Sequence, residues 1–264
     1  MLKHQRGLSL IELMVALTVS SFLVIGIVQI FIDNKNSFLF HQAQTENQEN
    51  SRYTFLILDQ ELSKAGYRRQ PDRNFATVFP TVGTSGGAPA GCSFSQGQSV
   101  ALASTGGICI RYEPRDREER NCAGAKPAAT EVPAQPYTST TLMVMEKFHL
   151  DTNGDLLCTV GSADPQVVLS GIADLQFEYG VGPASDERQV ASYVTTPGTL
   201  PIRAVRYSAL MASSSNVRQG MSSLTLQQWK TRYPGSTPNT NASFDSGQLF
   251  QVAQGSITFR NLMP

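Results

Sequence analysis

The reading of this chain turns on its opening: MLKHQRG at residues 1–7, then LSLIELMVALTVSSFLVIGIVQIFI at residues 8–32. A basic leader carrying Lys3 and Arg6 ends in Gly7, and a long apolar run follows, interrupted near its start by Glu12. Residues 13–32 hold no charged side chain, and about twenty residues rising about 1.5 Å each span a hydrocarbon core. A cleaved secretory signal would have a shorter apolar region followed by a small-residue cleavage site. Here the run is too long, and Val28-Gln29-Ile30-Phe31 is no such site. The leader charges keep residues 1–7 cytoplasmic and send the rest across the membrane. An ordinary single-pass anchor accounts for everything except Gly7 and Glu12. A carboxylate at a bilayer centre costs about 2.5 kcal/mol or more, so Glu12 calls for a compensating partner.

Gly7-Leu8-Ser9-Leu10-Ile11-Glu12 resembles the processing site of type IV prepilins. The resemblance implies that a prepilin peptidase cuts after Gly7 and methylates the amino group of Leu8. Leu8 departs from the phenylalanine usual at that position. Glu12 is then five residues into the mature chain and becomes a subunit-assembly residue. The new terminal amine and the carboxylate are opposite charges that, buried on neighbouring subunits, can neutralise each other. A helix slipped along its axis would leave both unpaired, so the pair also sets register. The blander alternative is a glutamate tolerated at the membrane edge.

Composition agrees with a tethered extracytoplasmic protein. Formal net charge is zero, so nothing in the composition suggests a nucleic-acid surface. About two hundred residues beyond position 66 suffice for one globular domain with its own core. Cys92, Cys109, Cys122 and Cys158 form no CxxC pair, and His4, His41 and His149 do not cluster with them. No zinc site and no cofactor is expected. In an oxidising compartment an even count favours two disulfides, for which sequence alone allows three pairings.

Residues 33–65 contain neither proline nor glycine, and Phe55, Leu58, Leu62 and Ala65 form an apolar stripe at helical spacing. Gly66 follows as a C-cap. A continuous helix over residues 8–65 would be about 87 Å long, with Gly26 as a point of weakness. Residues 71–98 read as a surface excursion and residues 114–136 as loop. Two hairpins are expected: residues 99–104 with 108–113 around Gly106-Gly107, and residues 141–150 with 156–160 around Asn153-Gly154. Leu175, Phe177 and Tyr179 mark a strand, as do Val205, Tyr207, Ala209 and Met211 within 201–211. Residues 213–247 read as polar loop with a helical turn at 224–233, and residues 256–262 as a closing strand.

Several phrases narrow the resemblance. Leu62-Ser63-Lys64-Ala65-Gly66-Tyr67 is similar to the helix end of PilW-type minor pilins. Ile110-Arg111-Tyr112-Glu113, Asn121-Cys122-Ala123-Gly124, Leu157-Cys158, Phe177-Glu178-Tyr179-Gly180 and Arg260-Asn261 follow in that family's order. The resemblance implies an α+β type IV pilin fold. A leader at residues 1–7 would precede a helix over 8–66, and a periplasmic β-rich domain over 67–264 would follow. It implies that Cys122 and Cys158 pair, which leaves Cys92 with Cys109. It also implies an inner-membrane subunit that is not an enzyme and helps initiate or cap a type IV pilus, residing at its tip. The implied partners are other minor pilins, the major pilin, the inner-membrane assembly platform and a tip adhesin. A J-type pseudopilin of a type II secretion system would have similar architecture.

Other motifs compete with this reading. Gly83-Thr84-Ser85-Gly86-Gly87 fits the GxSxG pattern of serine hydrolases, which needs a strand before it and a helix after it. A membrane-anchored periplasmic hydrolase is the alternative it would support. Asp151-Thr152-Asn153-Gly154-Asp155 resembles the start of a calcium loop but lacks the later glycine and glutamate. Residues 113–120 interleave acids and bases, as a solvated surface or a contact patch does. Asn241-Ala242-Ser243 fits a glycosylation acceptor.

Overall fold

The computed structural model describes residues 9–83, 86–183, 188–218, 222–238 and 247–263. Its spine is α1, Leu10–Leu62, a 53-residue helix about 80 Å long. It runs unbroken through Gly26. Residues 9–38 are exposed throughout, and this half of the helix is long and apolar enough to cross a membrane. The second half buries one face: Ala43, Asn47, Ser51, Thr54, Leu58, Glu61 and Leu62. The apolar stripe is thus the C-terminal end of a longer buried face made of small and polar residues. Ser51 Oγ and Thr54 Oγ1 turn back to the carbonyls of Asn47 and Asn50 at 2.7 and 2.8 Å, so their burial leaves no donor unpaired.

The helix ends three residues earlier than its last apolar stripe residue suggests. Ser63 is the C-cap, and a turn carries the chain to Gly66 at φ 74°. Gly66 N–H donates to Arg111 O at 3.0 Å. Asn261 Nδ2 donates to Ser63 O and Ala65 O at 3.0 and 3.2 Å, so the far end of the chain satisfies carbonyls that the helix end leaves open.

Two antiparallel sheets follow. The first contains β1 Val100–Leu102, β2 Ile108–Tyr112, β3 Val144–Leu150, β4 Leu156–Val160 and β5 Gln166–Leu169, in sequential order. Both expected hairpins are present, as β1–β2 and β3–β4. The second sheet has the order β7-β6-β8-β9, from β6 Ile172–Val181, β7 Ser192–Val194, β8 Ile202–Asn216 and β9 Gln248–Thr258. Short helices α2, Phe75–Val78, and α3, Leu224–Arg232, complete the fold. One apolar cluster joins α1 to both sheets. Leu58, Leu62 and Ala65 meet Ile110 and Phe148 of the first sheet, and Val205, Tyr207, Ala209 and Ile257 of the second. On the opposite face of the second sheet α3 covers Leu210, Ala212 and Phe250 with Leu226 and Trp229.

Three expectations are corrected. Residues 71–98 are not a plain surface excursion: Val78, Phe79, Ala88, Cys92 and Phe94 are buried. Cys92 and Phe94 form a small core of their own with Ala101 and Cys109. The last strand lies earlier than residues 256–262, since β9 ends at Thr258 and Arg260–Leu262 is a 3-10 turn. Strands β5 and β7 were not anticipated; at four and three residues they are too short to show a period.

Candidate assembly site

Gly7 and Leu8 lie outside the described residues. The chain enters α1 through Ser9, whose φ and ψ of −74° and 152° are those of an N-cap. Glu12 N–H donates to Ser9 Oγ at 3.3 Å, while the Glu12 carboxylate accepts from Ser9 N–H at 3.0 Å and Ser9 Oγ at 3.2 Å. This is a reciprocal capping box. Ser9 is the residue that the sequence reading passed over, although Ser-x-x-Glu before an apolar run is the signature of such a box. Glu12 is the one charged residue of residues 9–32. Its carboxylate is folded back toward the helix start, one residue from Leu8, and a negative group there is favoured by the helix dipole. Around it Leu10, Ile11, Leu13 and Met14 are all more than half exposed. Nothing in the described chain covers this end of the helix.

The other end is locked to the domain by buried polar groups. Glu146 of β3 is fully buried. Its Oε1 accepts from Tyr112 Oη at 2.9 Å and from Cys122 N–H at 3.0 Å, and its Oε2 is buried without a hydrogen-bond partner. Burial and the nearby negative Glu61 push its pKa up to about 7, against the pull of Cys122 N–H, Lys64 and Tyr112. Burial raises Glu61 as well, although Lys64 Nζ sits 2.6 Å from its carboxylate. Lys64 reaches on to Arg120 O at 2.8 Å. The last turn of α1, β2, β3 and the loop carrying Cys122 therefore converge on one polar knot. Midway along the helix, Asn47 Nδ2 donates to Leu249 O at 2.8 Å, and Ser214 Oγ donates to Glu46 at 2.9 Å.

Two disulfides and two buried arginines hold the long loops. Cys92 is joined to Cys109 and Cys122 to Cys158, with Cα separations of 5.9 and 6.2 Å. Arg111 lies between the rings of Phe79 and Phe94, at 5.3 and 4.7 Å from their centroids. Its guanidinium donates to the carbonyls of Phe79, Pro80, Ser95 and Gln98. Arg69 does the same for the following loop, donating to Pro133, Gln135, Thr138 and Arg115 carbonyls. Each guanidinium presents donors in a fixed fork, which suits convergent loop carbonyls.

The remaining motifs behave as scaffold. Thr84 and Ser85 of the GxSxG pattern lie outside the described residues, and the residues after them, 86–91, form turns and extended chain rather than a helix. Asp151 Oδ1 accepts from Asn153 and Asp155 N–H at 2.9 and 2.8 Å, which makes the calcium-like loop a closed hairpin turn. Within residues 113–120, Glu113 is buried and its carboxylate accepts from Arg69 N–H at 2.7 Å. Asp116 Oδ1 braces the same loop through Glu118 and Glu119 N–H. Asn241, Ala242 and Ser243 lie outside the described residues. Among the described residues no three His, Cys, Asp or Glu side chains are grouped to hold a metal.

Comparison with known proteins bears on the N-terminus. No curated protein matches the chain. Among solved structures, the chain is similar to a type IV-like pilin from Thermus thermophilus, at 14% identity and a TM-score of 0.46, over 82% of this chain and 97% of that one. Residues 2–28 match the family model of the prokaryotic N-terminal methylation motif. The chain carries a prokaryotic N-terminal methylation motif at the head of a long helix whose second half packs on antiparallel sheets.

Proposed function

We propose that this chain is a minor pilin, a membrane-held subunit that helps start or cap a type IV pilus. The carrying observation is the first half of α1. Residues 9–32 are exposed throughout, apolar on every side of the helix, and carry a single charge, Glu12, inside a methylation motif. A helix apolar all round belongs in lipid or among like helices. Prepilin peptidase would release residues 1–7, and the domain beyond α1 would lie in the periplasm. The partners are other minor pilins, the major pilin, the inner-membrane assembly platform and a tip adhesin.

The shape of the loops supports a tip position. Endless helical stacking needs a repeated complementary contact. The long loops over 71–98 and 114–143 are held in fixed irregular form by Arg111, Arg69 and the disulfides, which suits a single place in a fibre. Deleting the gene tests the reading. The major pilin should still be made and processed while surface fibres fall sharply, and immunogold label should mark fibre ends. Regular label along whole fibres would make the chain a major pilin. Normal fibres with a secretion defect would make it a pseudopilin.

A further inference from the structure

From Val252 to Thr258, β9 carries an edge whose outward N–H groups no hydrogen bond in the described chain reaches. Its register fixes which backbone groups face outward. Phe259 N–H donates to Arg203 O at 2.8 Å, continuing the pairs Thr258–Ala204 and Ile257–Val205. Hydrogen-bonded pairs of an antiparallel ladder recur at every second residue. The odd residues 251–257 therefore bond to β8, and Val252, Gln254, Ser256 and Thr258 turn their N–H and C=O groups away from it. β8 obeys the same parity, since Ala212 N–H donates to Gly171 O on the opposite side at 3.0 Å. Among the described residues no hydrogen bond reaches the four outward N–H groups of β9.

Edges of this kind are usually blunted by lysine, proline, a bulge or brevity. The other end strands are brief: β1 and β7 have three residues and β5 has four. β9 has eleven, reading QLFQVAQGSIT, with no charge and no proline. The side chains of Val252, Gln254, Ser256 and Thr258 are exposed.

Two copies of this chain do not pair through their β9 edges, and the other end strands, at three or four residues, are too short to match it. Antiparallel pairing of two β9 strands needs a two-fold axis normal to the sheet. α1 lies on one face of that sheet, where Phe55 meets Tyr207 at 5.9 Å. The axis would reverse α1 in the second copy and aim its apolar half away from the shared membrane. Parallel pairing needs a one-residue stagger between the strands, which a two-fold axis cannot supply. A charged segment would gain no ion pair from β9, whose own eleven residues carry no charge.

We propose that β9 receives an extended, uncharged, proline-free segment of a different pilus subunit, which adds a fifth strand to the second sheet. Main-chain hydrogen bonds would supply the affinity, and the exposed side chains of β9 the register. The proposal rests on the assembly role above.

The test uses the full-length chain in membranes of cells that make fibres, with a photo-crosslinking residue at Gln254 or, separately, at Val24 in the apolar half of α1. Adducts are identified by mass spectrometry. The expected Gln254 adduct is a peptide of another subunit bearing the N-terminal methylation motif. Ser256→Pro should lower its yield at least tenfold, because the substitution removes an outward N–H and spares the inner ladder. Val252→Lys should lower it too, by blunting the edge, and serves if Ser256→Pro does not fold. Ile257→Pro breaks the inner ladder and should lower the melting temperature, unlike either edge variant. Gln254 yields unchanged in both edge variants overturn the proposal. Subunit adducts from Val24 with none from Gln254 overturn it while leaving the assembly role standing. No adduct from either position overturns both.

Discussion

Glu146 should make the domain less stable as pH rises, and Glu146→Gln should remove its share of that dependence. Burial and Glu61 hold its folded pKa near 7, against 4.5 for the ordinary carboxylate. Between those values the folded state binds the proton more tightly than the unfolded chain. Stability is therefore full below about pH 4.5, falls as pH rises toward 7, and levels off above it. At 1.36 kcal/mol per pH unit the loss is about 3 kcal/mol. For a domain of this size that is about 6–12 °C in melting temperature. Glutamine keeps an oxygen to accept from Tyr112 Oη and Cys122 N–H, and carries no charge at any pH. Full-length protein in nonionic micelles, disulfides intact, should be melted at pH 5, 6, 7 and 8 while the single Trp229 reports unfolding. Glu61, Lys64 and Glu119 are present in both proteins, so the difference between the two curves isolates Glu146. The two should nearly coincide at pH 5 and separate by pH 8, with the variant higher. Parallel curves across the range refute the reasoning.

Three other outcomes are expected. Gly7→Val should leave residues 1–7 attached, read as intact mass of envelope-extracted protein; a mature terminus beyond Ile32 would instead mean ordinary secretion. Glu12→Gln retains a Ser-x-x-Gln capping box without the charge, whereas Glu12→Ala removes both. Membrane insertion should survive each, co-purification with the proposed partner subunits should fall in each, and normal co-purification of the Gln variant would show that the cap rather than the charge matters. Arg111→Lys should destabilise the domain by about 3 kcal/mol in urea unfolding, since an ammonium cannot reach all four loop carbonyls or lie flat between two rings. Limited proteolysis should then cut first within residues 71–98, and an unaltered cleavage pattern would remove Arg111 from its role.

What the sequence showed follows from the range of the forces involved. α1 was legible because its cues are local: an apolar run, a helical stripe, and no proline or glycine over residues 33–65. Both hairpins were legible because Gly106, Gly107 and Gly154 must take positive φ, at 87°, 94° and 86°. Invisible were features created by distant partners. Arg111 and Arg69 look like ordinary surface bases until carbonyls from remote loops close around them. Glu146 alternates onto the face of Val144 and Phe148, which hints at burial, but nothing in β3 points to Glu61, some 85 residues away, as its neighbour. Asn47 and Ser51 made the inner face of the helix look polar, because one bond needs Leu249 as its partner. Gly255 is a further case: a Cβ there would lie 2.3 Å from Tyr207 Oη, so the glycine exists for a ring supplied by the opposing strand.

The two halves of α1 lead to a separation between folding and assembly. Everything the domain needs from the helix lies between Ala43 and Ala65, where the side chains enter the common core. Residues 10–32 are exposed among the described residues, so their apolar surface remains available to lipid or to other helices. A change at Glu12 should consequently leave the melting of the domain unmoved while it alters docking. A change at Glu146 or Arg111 should do the reverse, until destabilisation lowers the amount of protein. The helix is continuous across the join at residues 33–42, with neither proline nor glycine to bend it. Rotation or axial displacement of the apolar half is therefore passed directly to the buried half, and through Asn47 to the start of β9. A subunit assembled by its first half would carry its domain as a rigid passenger, oriented by the same helix that holds it in the membrane.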